Sequence, residues 1–242
     1  MDWSLAGGLR AWLEDGVVGA ATAEVGAIVV RDGALTPRPP AARRIGLREL
    51  QACLSRVTFR LTVSDGPQRH PFEDALCATS VTERGPLLLD AVRHLTKHQR
   101  AALRATLRAV AATTADCWLP VPRAWLPRTG ERLRVPLAGG AVVLSSTADL
   151  VLGLPSDGTA SVCAVRVHDE RDGLAGAGSV VRPLRALALA ETLRSGARPW
   201  RVASFDVGTG QLLCEDADEA LLVAAVGDVL RAIKSVNGAR AR

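Results

Sequence analysis

The chain has 242 residues and a mass of 25.4 kDa, and 48% of its residues are hydrophobic while 23% are charged. It can therefore bury a core without disulfide or metal staples, and a wholly disordered chain is excluded. The 30 basic and 25 acidic residues give a formal net charge of +5, which permits an acidic partner without requiring one.

Features of membrane, secreted and zinc-binding proteins are absent from the sequence. The most apolar stretch, residues 16–30, contains Glu24 and is shorter than the roughly 18 apolar residues of a membrane span. Residues 1–4 lack the basic start of a secretory signal. The cysteines are widely spaced and form no Cys-x-x-Cys pair, which argues against structural zinc. We expect a cytoplasmic protein with reduced thiols, no membrane contact and no metal.

The first 45 residues are predicted to form a helix, a strand and a linker. Apolar residues recur at helical spacing from Trp3 to Leu13, and the β-branched run at 27–30 is typical of a strand. Three prolines then make residues 36–44 a stiff linker. We therefore predict an N-terminal helix/strand extension over residues 1–45 and a larger domain over residues 46–242.

The elements that follow are marked by prolines, glycines and capping residues. Pro86 suits the first turn of a helix, and the Thr96-x-x-Gln99 capping box predicts a second helix that ends near residue 116. Strands are predicted over residues 132–137, 141–152 and 161–168. The short turns between them imply an antiparallel meander.

The last third of the chain is predicted to be helix, strand and helix. Pro183 is expected to begin a helix that Gly196 ends, and residues 200–207 form a strand. Asp216-x-x-Glu219 is a capping box for the last helix. The order of elements from residue 97 is therefore α, β, β, β, α, β.

One segment within this order carries a family resemblance. Residues 146–153 read Ser-Thr-Ala-Asp-Leu-Val-Leu-Gly, and residues 193–203 pass from a helix to a strand. Both stretches, and the order of elements, resemble the RecB-like branch of the PD-(D/E)XK nuclease superfamily over about residues 97–235. Asp149 matches the family's metal-binding Asp, and Ser146 stands where glycine is common. The resemblance implies an α/β fold with an αβββαβ core, in which helices flank a mixed central sheet.

The next predicted strand departs from the family pattern. The family has Glu-x-Lys there, whereas alignment places Arg166 on the acidic position and His168 on the lysine. Carboxylates of the family hold a divalent ion that activates water, and an arginine about 5 Å away would repel that ion by roughly 6 to 7 kcal/mol. The resemblance therefore implies a vestigial site of Asp149, Arg166 and His168, with no catalytic residue, no metal and no cofactor.

Alternatives to this interpretation stay open. Asp149 could be a strand-end acid that forms an ion pair or caps a turn, or it could bond Arg166 in a cleft that both residues face. His168 also fits a satisfied, half-buried histidine. A carboxylate elsewhere could restore an active nuclease that depends on Mg²⁺ or Mn²⁺; the candidates are Asp169, Glu170, Asp172 and Glu191.

A basic stripe is the second candidate site. Residues 91–115 contain no Asp or Glu, and four cations follow helical spacing, namely Lys97, Arg100, Arg104 and Arg108. This pattern fits the solvated face of a helix, and it also fits contact with phosphates or an acidic protein. Arg123, Arg128, Arg132 and Arg134 soon afterwards favour the binding interpretation.

The sequence as a whole favours a nuclease-fold protein without catalytic activity. We predict that it acts as a binding or structural subunit whose candidate partners are nucleic acid and an acidic protein. The alternatives are a metal-dependent DNA nuclease with a rearranged site and an α/β interaction protein unrelated to nucleases. The oligomeric state is left open.

Overall fold

The computed structural model describes residues 3–18, 28–32, 34–35, 45–153, 163–168 and 177–240. The helices are α1 (Trp3–Val18), α2 (Leu47–Asp65), α3 (Pro71–Ser80), α4 (Gly85–Arg93), α5 (Lys97–Trp118), α6 (Ala177–Ser195) and α7 (Glu219–Arg240). The strands are β1 (Ile28–Arg31), β2 (Ala34–Leu35), β3 (Arg128–Leu137), β4 (Val142–Leu152), β5 (Cys163–His168), β6 (Arg201–Asp206) and β7 (Leu212–Asp216). The predicted linker at 36–44 lies outside the described residues, as do Asp169, Glu170 and Asp172.

The strands form one mixed, open sheet, so the predicted α/β class is confirmed. Its order is β2-β1-β4-β5-β6-β7, with β3 paired to β4. The β1/β4 and β5/β6 pairs are parallel and the others are antiparallel. The predicted antiparallel meander of β3, β4 and β5 is confirmed. The N-terminal strand belongs to the same sheet, because β1 pairs with the first half of β4.

Helices pack on both faces of this sheet, and each face has its own apolar cluster. Leu144 of β4 packs with α1, α6 and α7 on one face. On the other face Phe59 of α2 packs with Leu150 of β4 and Phe205 of β6. A third cluster, around Leu54 and Phe72, holds α2 to α5 together. This layering follows from helices with one apolar side and a sheet that is apolar on both faces.

The capping signals locate the start of α5 and the end of α6. Thr96 Oγ1 accepts a hydrogen bond from the Gln99 backbone at 3.1 Å, and the Gln99 side chain accepts one from the Thr96 backbone at 3.0 Å. The predicted capping box of α5 is thus confirmed. Gly196 follows the end of α6 with a φ of +77°, a conformation that glycine adopts without strain.

Two predicted helix starts were wrong. Pro183 lies inside α6, which begins at Ala177. A proline beyond the first turn removes one backbone hydrogen bond and crowds the carbonyl four residues earlier, so the helix continues through Pro183 at some cost. The cap of α7 is Asp218, whose Oδ1 accepts from the Leu221 backbone at 2.7 Å. Asp216 is unavailable for capping because its carboxylate accepts from Arg201 Nε across the β6/β7 pair at 2.7 Å.

Candidate functional site at the fork of β4

One edge of β4 changes partner halfway along the strand, and this point is called the fork here. β3 pairs with β4 over almost its whole length. On the opposite edge, β1 pairs with residues 142–145 and β5 pairs with residues 150–152. Because β1 is parallel and β5 antiparallel to β4, the carboxyl ends of both strands converge beside residues 146–149. Asp149 lies at this point.

The carboxylate of Asp149 is fully buried, and both of its oxygens accept hydrogen bonds. Arg56 Nε donates to both oxygens at 3.1 Å, and Arg56 Nη2 lies 3.0 Å from Oδ2. Arg60 Nε donates to Oδ1 at 2.9 Å. The Val167 backbone N–H donates to Oδ2 at 2.9 Å, so the side chain takes the place that a backbone carbonyl has in a regular ladder. Asp149 thus joins β4, β5 and α2 where the strands separate.

The ion pairs favour the charged forms of Asp149 and Arg56. Burial alone would raise the pKa of Asp149, but Arg56, Arg60 and the hydrogen bonds hold that pKa below its ordinary value. Burial would likewise lower the pKa of Arg56, and Asp149 instead raises it, with a further contribution from Asp32. Two cations around one anion leave the group with a net charge of +1. The cluster consists of a buried carboxylate and two half-buried arginines, and it has an excess of positive charge.

The sheet is irregular next to this residue, because Asp149 and Leu150 follow one another and both face α2. Leu144 and Ala148 belong to the cluster on the α6 and α7 side, whereas Leu150 faces Phe59 and Val151 faces α6. The alternation of side chains therefore shifts by one residue at Asp149. Gly130 of β3 lies opposite, with a φ of +71°, and a Cβ there would stand 3.3 Å from Arg60 Nη1. Gly130 thereby leaves room for the guanidinium.

Arg166 does not bond Asp149, so the predicted pair in one shared cleft is wrong. On β5, Val165 and Val167 pack with Phe59, while Ala164 packs with the α6 side. Alternation therefore places Arg166 on the α6 side, away from the arginines of α2. Its guanidinium bonds both carboxylate oxygens of Asp32, the residue after β1, and Nη2 lies 2.9 Å from Oδ2.

The remaining polar groups on that side are also paired. Ser146 Oγ donates to Asp32 Oδ1 at 3.0 Å. His168 Nδ1 lies 2.8 Å from Ser204 Oγ, as expected for a satisfied histidine. Glu191 is buried and bonds Arg194 through both oxygens. The first two contacts tie neighbouring elements together, whereas the pair of Glu191 with Arg194 lies within α6.

The residues at the fork do not fit a divalent cation. Mg²⁺ and Mn²⁺ need open carboxylate or carbonyl oxygens, but the oxygens of Asp149 accept from two guanidinium groups and one backbone N–H. The carboxylates of Asp32 and Glu191 have arginine partners of their own. Among the residues that the structure describes, no three His, Cys, Asp or Glu side chains come together as a metal-binding group.

Half of the basic stripe on α5 is engaged within the protein. Arg100 Nη2 donates to the Val92 carbonyl at 3.1 Å, which ties α5 to the end of α4. Arg104 pairs with Glu73 at 2.7 Å and stacks over the Phe72 ring at 5.0 Å, which ties α5 to α3. Lys97 and Arg108 are exposed. The stripe therefore has a structural role in addition to any binding role.

The sequence prediction missed the partners of Asp149, because it named no element between residues 46 and 85. Arg56 and Arg60 are four residues apart on α2, on either side of the fully buried Phe59. That spacing places both guanidinium groups on one side of a helix that packs on the sheet. It was the one signal in the sequence that could have indicated a buried carboxylate opposite.

No protein-family model and no curated protein matches this sequence. None of the described helices combines the length and the apolar character that crossing a membrane requires.

Proposed function

We propose that this chain is a catalytically inactive protein of nuclease-like fold that acts as a binding or structural subunit. The observation that carries the proposal is the state of Asp149. Its side chain is 0% exposed, and it is bonded by Arg56, Arg60 and the Val167 backbone. The one acid that the PD-(D/E)XK resemblance assigns to the metal is therefore committed to holding the fold together.

The topology supports the nuclease-like part of the proposal. From α5 to β6 the elements follow the order α, β, β, β, α, β, as the resemblance implies. β3, β4 and β5 are antiparallel neighbours, and β6 returns beside β5 in the parallel sense after α6. Asp149 stands late in the second strand of this core, where the resemblance puts the metal-binding acid.

The electrostatics support the loss of catalysis. Hydrolysis in that family depends on carboxylates that place a divalent ion beside the scissile phosphate. Here Arg56, Arg60 and Arg166 bring three positive charges to the fork against the two negative charges of Asp32 and Asp149. A divalent ion would have to displace a guanidinium and then remain near the others, at a cost of several kcal/mol.

A cleavage assay tests the proposal. Purified protein is incubated with single-stranded and duplex DNA in Mg²⁺ or Mn²⁺, and with EDTA as the blank. We expect no metal-dependent cleavage. Cleavage that Asp149→Asn abolishes, and that the matched change of the exposed Asp116 to Asn leaves intact, would overturn the proposal. That result would establish the alternative, a divalent-metal-dependent DNA nuclease with a rearranged site.

A further inference from the structure

Part of the central sheet is left open to solvent on one face. Over residues 132–137 of β3 and 142–148 of β4, the side chains that point away from α6 and α7 alternate with buried ones. α2 and α5 cover the other half of this face, around Leu150 and Phe205. The uncovered part, called the basic sheet face here, consists of Arg132, Arg134 and Pro136 of β3, Val143, Ser145 and Thr147 of β4, and Val29 and Arg31 of β1. All of them are exposed or half-buried.

The strand register brings three cations together on this face. Ser145 of β4 is paired with Arg134 of β3 on one side and with Arg31 of β1 on the other. In the neighbouring row, Arg132 is paired with Thr147. Strands are about 4.8 Å apart and alternate residues about 7 Å apart, so the three Cα atoms lie within roughly 12 Å of one another. No Asp or Glu occupies a position on this face.

These three arginines differ from the arginines at the fork in having no partner in the part of the chain that the structure describes. No ion pair or side-chain hydrogen bond among the described residues includes Arg31, Arg132 or Arg134. By contrast, Arg128 of the same strand pairs with Glu131 at 2.7 Å. Three unpaired guanidinium groups with two hydroxyl groups between them form a surface that lacks its counter-charge.

We propose that the basic sheet face binds the sugar-phosphate backbone of a nucleic acid. The proposal rests on the binding role proposed above, and it is independent of the loss of catalysis. Arginine, serine and threonine side chains supply many of the contacts that proteins make to phosphate oxygens. The row Arg134, Ser145, Arg31 presents two guanidinium groups and a hydroxyl across three strands, while Arg132 and Thr147 extend the same surface along the strands.

The composition of the face favours nucleic acid over an acidic protein. The centre of a protein–protein interface is enriched in aromatic and other apolar side chains, whereas the centre here is Ser145 between two arginines. The face has no aromatic residue on which a base could stack. We therefore expect binding through the backbone, with little dependence on base sequence.

Binding of labelled nucleic acid at several salt concentrations tests the proposal. Fluorescence anisotropy with a short duplex and a short single strand gives the affinity at about 50 and about 200 mM salt. Removing two phosphate contacts with Arg132→Gln and Arg134→Gln should weaken duplex binding about tenfold or more. The slope of log affinity against log salt should become shallower by roughly 2.

Two further pairs of substitutions serve as comparisons. Arg48→Gln with Arg93→Gln removes the same charge from exposed positions on α2 and α4, and we expect it to change affinity much less. Arg100→Gln with Arg104→Gln tests the stripe on α5. Circular dichroism and thermal melting establish that each protein is folded. The proposal would be overturned if the Arg48/Arg93 variant lost as much affinity as the Arg132/Arg134 variant. It would also be overturned if only the Arg100/Arg104 variant lost affinity.

The remaining outcomes are equally decisive. Absence of binding even at low salt would overturn the proposal and leave the result of the cleavage assay untouched. Displacement of labelled DNA by polyglutamate as readily as by unlabelled DNA would overturn the choice of nucleic acid and favour an acidic protein. Cleavage of bound DNA would instead overturn the proposed loss of catalysis, while the basic sheet face would stand.

Discussion

The guanidinium of Arg60 lies against the backbone of Gly130, where a Cβ atom would stand 3.3 Å from Nη1. Gly130 also has a φ of +71°, which side chains other than glycine adopt at a cost of about 1 kcal/mol. We expect Gly130→Ala to lower the free energy of unfolding by about 2 to 3 kcal/mol, because backbone strain adds to a displaced Arg60. Denaturant unfolding measures this loss.

Gly139 provides the matched control for that substitution. Its φ is +63°, but nothing lies within 4 Å of the position that a Cβ would take. The loss of unfolding free energy in Gly139→Ala should therefore come from backbone strain alone. Equal losses at the two positions would contradict a role for Gly130 in making room for Arg60.

The carboxylate of Asp149 should contribute far more to the stability of the fold than an exposed carboxylate does. Asp149→Asn removes the charge and leaves the half-buried Arg56 and Arg60 beside a buried neutral amide. Removing one partner of a buried ion pair lowers the free energy of unfolding by about 3 to 5 kcal/mol. The same change at Asp116, which is exposed on α5, should lower the free energy of unfolding by less than about 0.5 kcal/mol. A small loss at Asp149, measured by urea unfolding, would contradict the buried cluster.

Replacing the whole cluster separates the cost of unpaired charge from the value of the cluster. The triple variant Arg56→Met, Arg60→Met and Asp149→Leu has no buried charge left to satisfy. We expect it to unfold at a higher urea concentration than Asp149→Asn, because similar apolar side chains often replace buried ion groups at little cost. A triple variant less stable than Asp149→Asn would indicate that the cluster is itself a net source of stability.

The lowered pKa of Asp149 makes stability depend on acid pH. The folded-state pKa lies below the ordinary value of 3.8, so the carboxylate contributes its stability above that value. The contribution is lost as pH falls from about 4 through the folded-state pKa, because protonation favours the unfolded chain. Urea unfolding from about pH 7 to about pH 3 should show this decline in the wild-type protein. The decline should be shallower in Asp149→Asn, and identical profiles would contradict the assignment.

The cysteines should differ sharply in reactivity. Burial, with a smaller contribution from Cys214, raises the pKa of the Cys163 thiol to about 11. At about pH 8 Cys163 is therefore almost wholly protonated, whereas only the thiolate reacts with iodoacetamide. Peptide mass mapping should find alkylation first at Cys77, Cys117 and Cys214, which are exposed. Cys163 should react appreciably only as the pH approaches its pKa, and equal rates at about pH 8 would contradict this.

Short-range signals in the sequence predicted the elements, but not the contacts at the fork. The capping box at Thr96 and the turns around β4 depend on neighbouring residues, and both were confirmed. Asp149 was also singled out, as the acid late in β4. Its partners were not, because Arg56 lies 93 positions away and Arg60 lies 89 positions away.

The face on which Arg166 lies could not be inferred for a related reason. The predicted pair with Asp149 rested on regular strand alternation and on the family order of elements. The alternation shifts at Asp149, opposite the positive φ of Gly130, and no local pattern in the sequence marks such a shift. The partner of Arg166 is Asp32, 134 positions away and beyond the predicted boundary at residue 45.

The pairing of β1 with β4 also bears on the order in which the chain folds. Ile28 is paired with Val142, so forming this contact closes a loop that contains α2 to α5 and β3. β3 and β4, by contrast, are joined by a turn of a few residues. Closing the long loop costs more conformational entropy, so we expect the meander to form early and β1 to add late. In the native state β1 should then open more readily than β4, and such openings would release Asp32 from Arg166 while the meander stays intact.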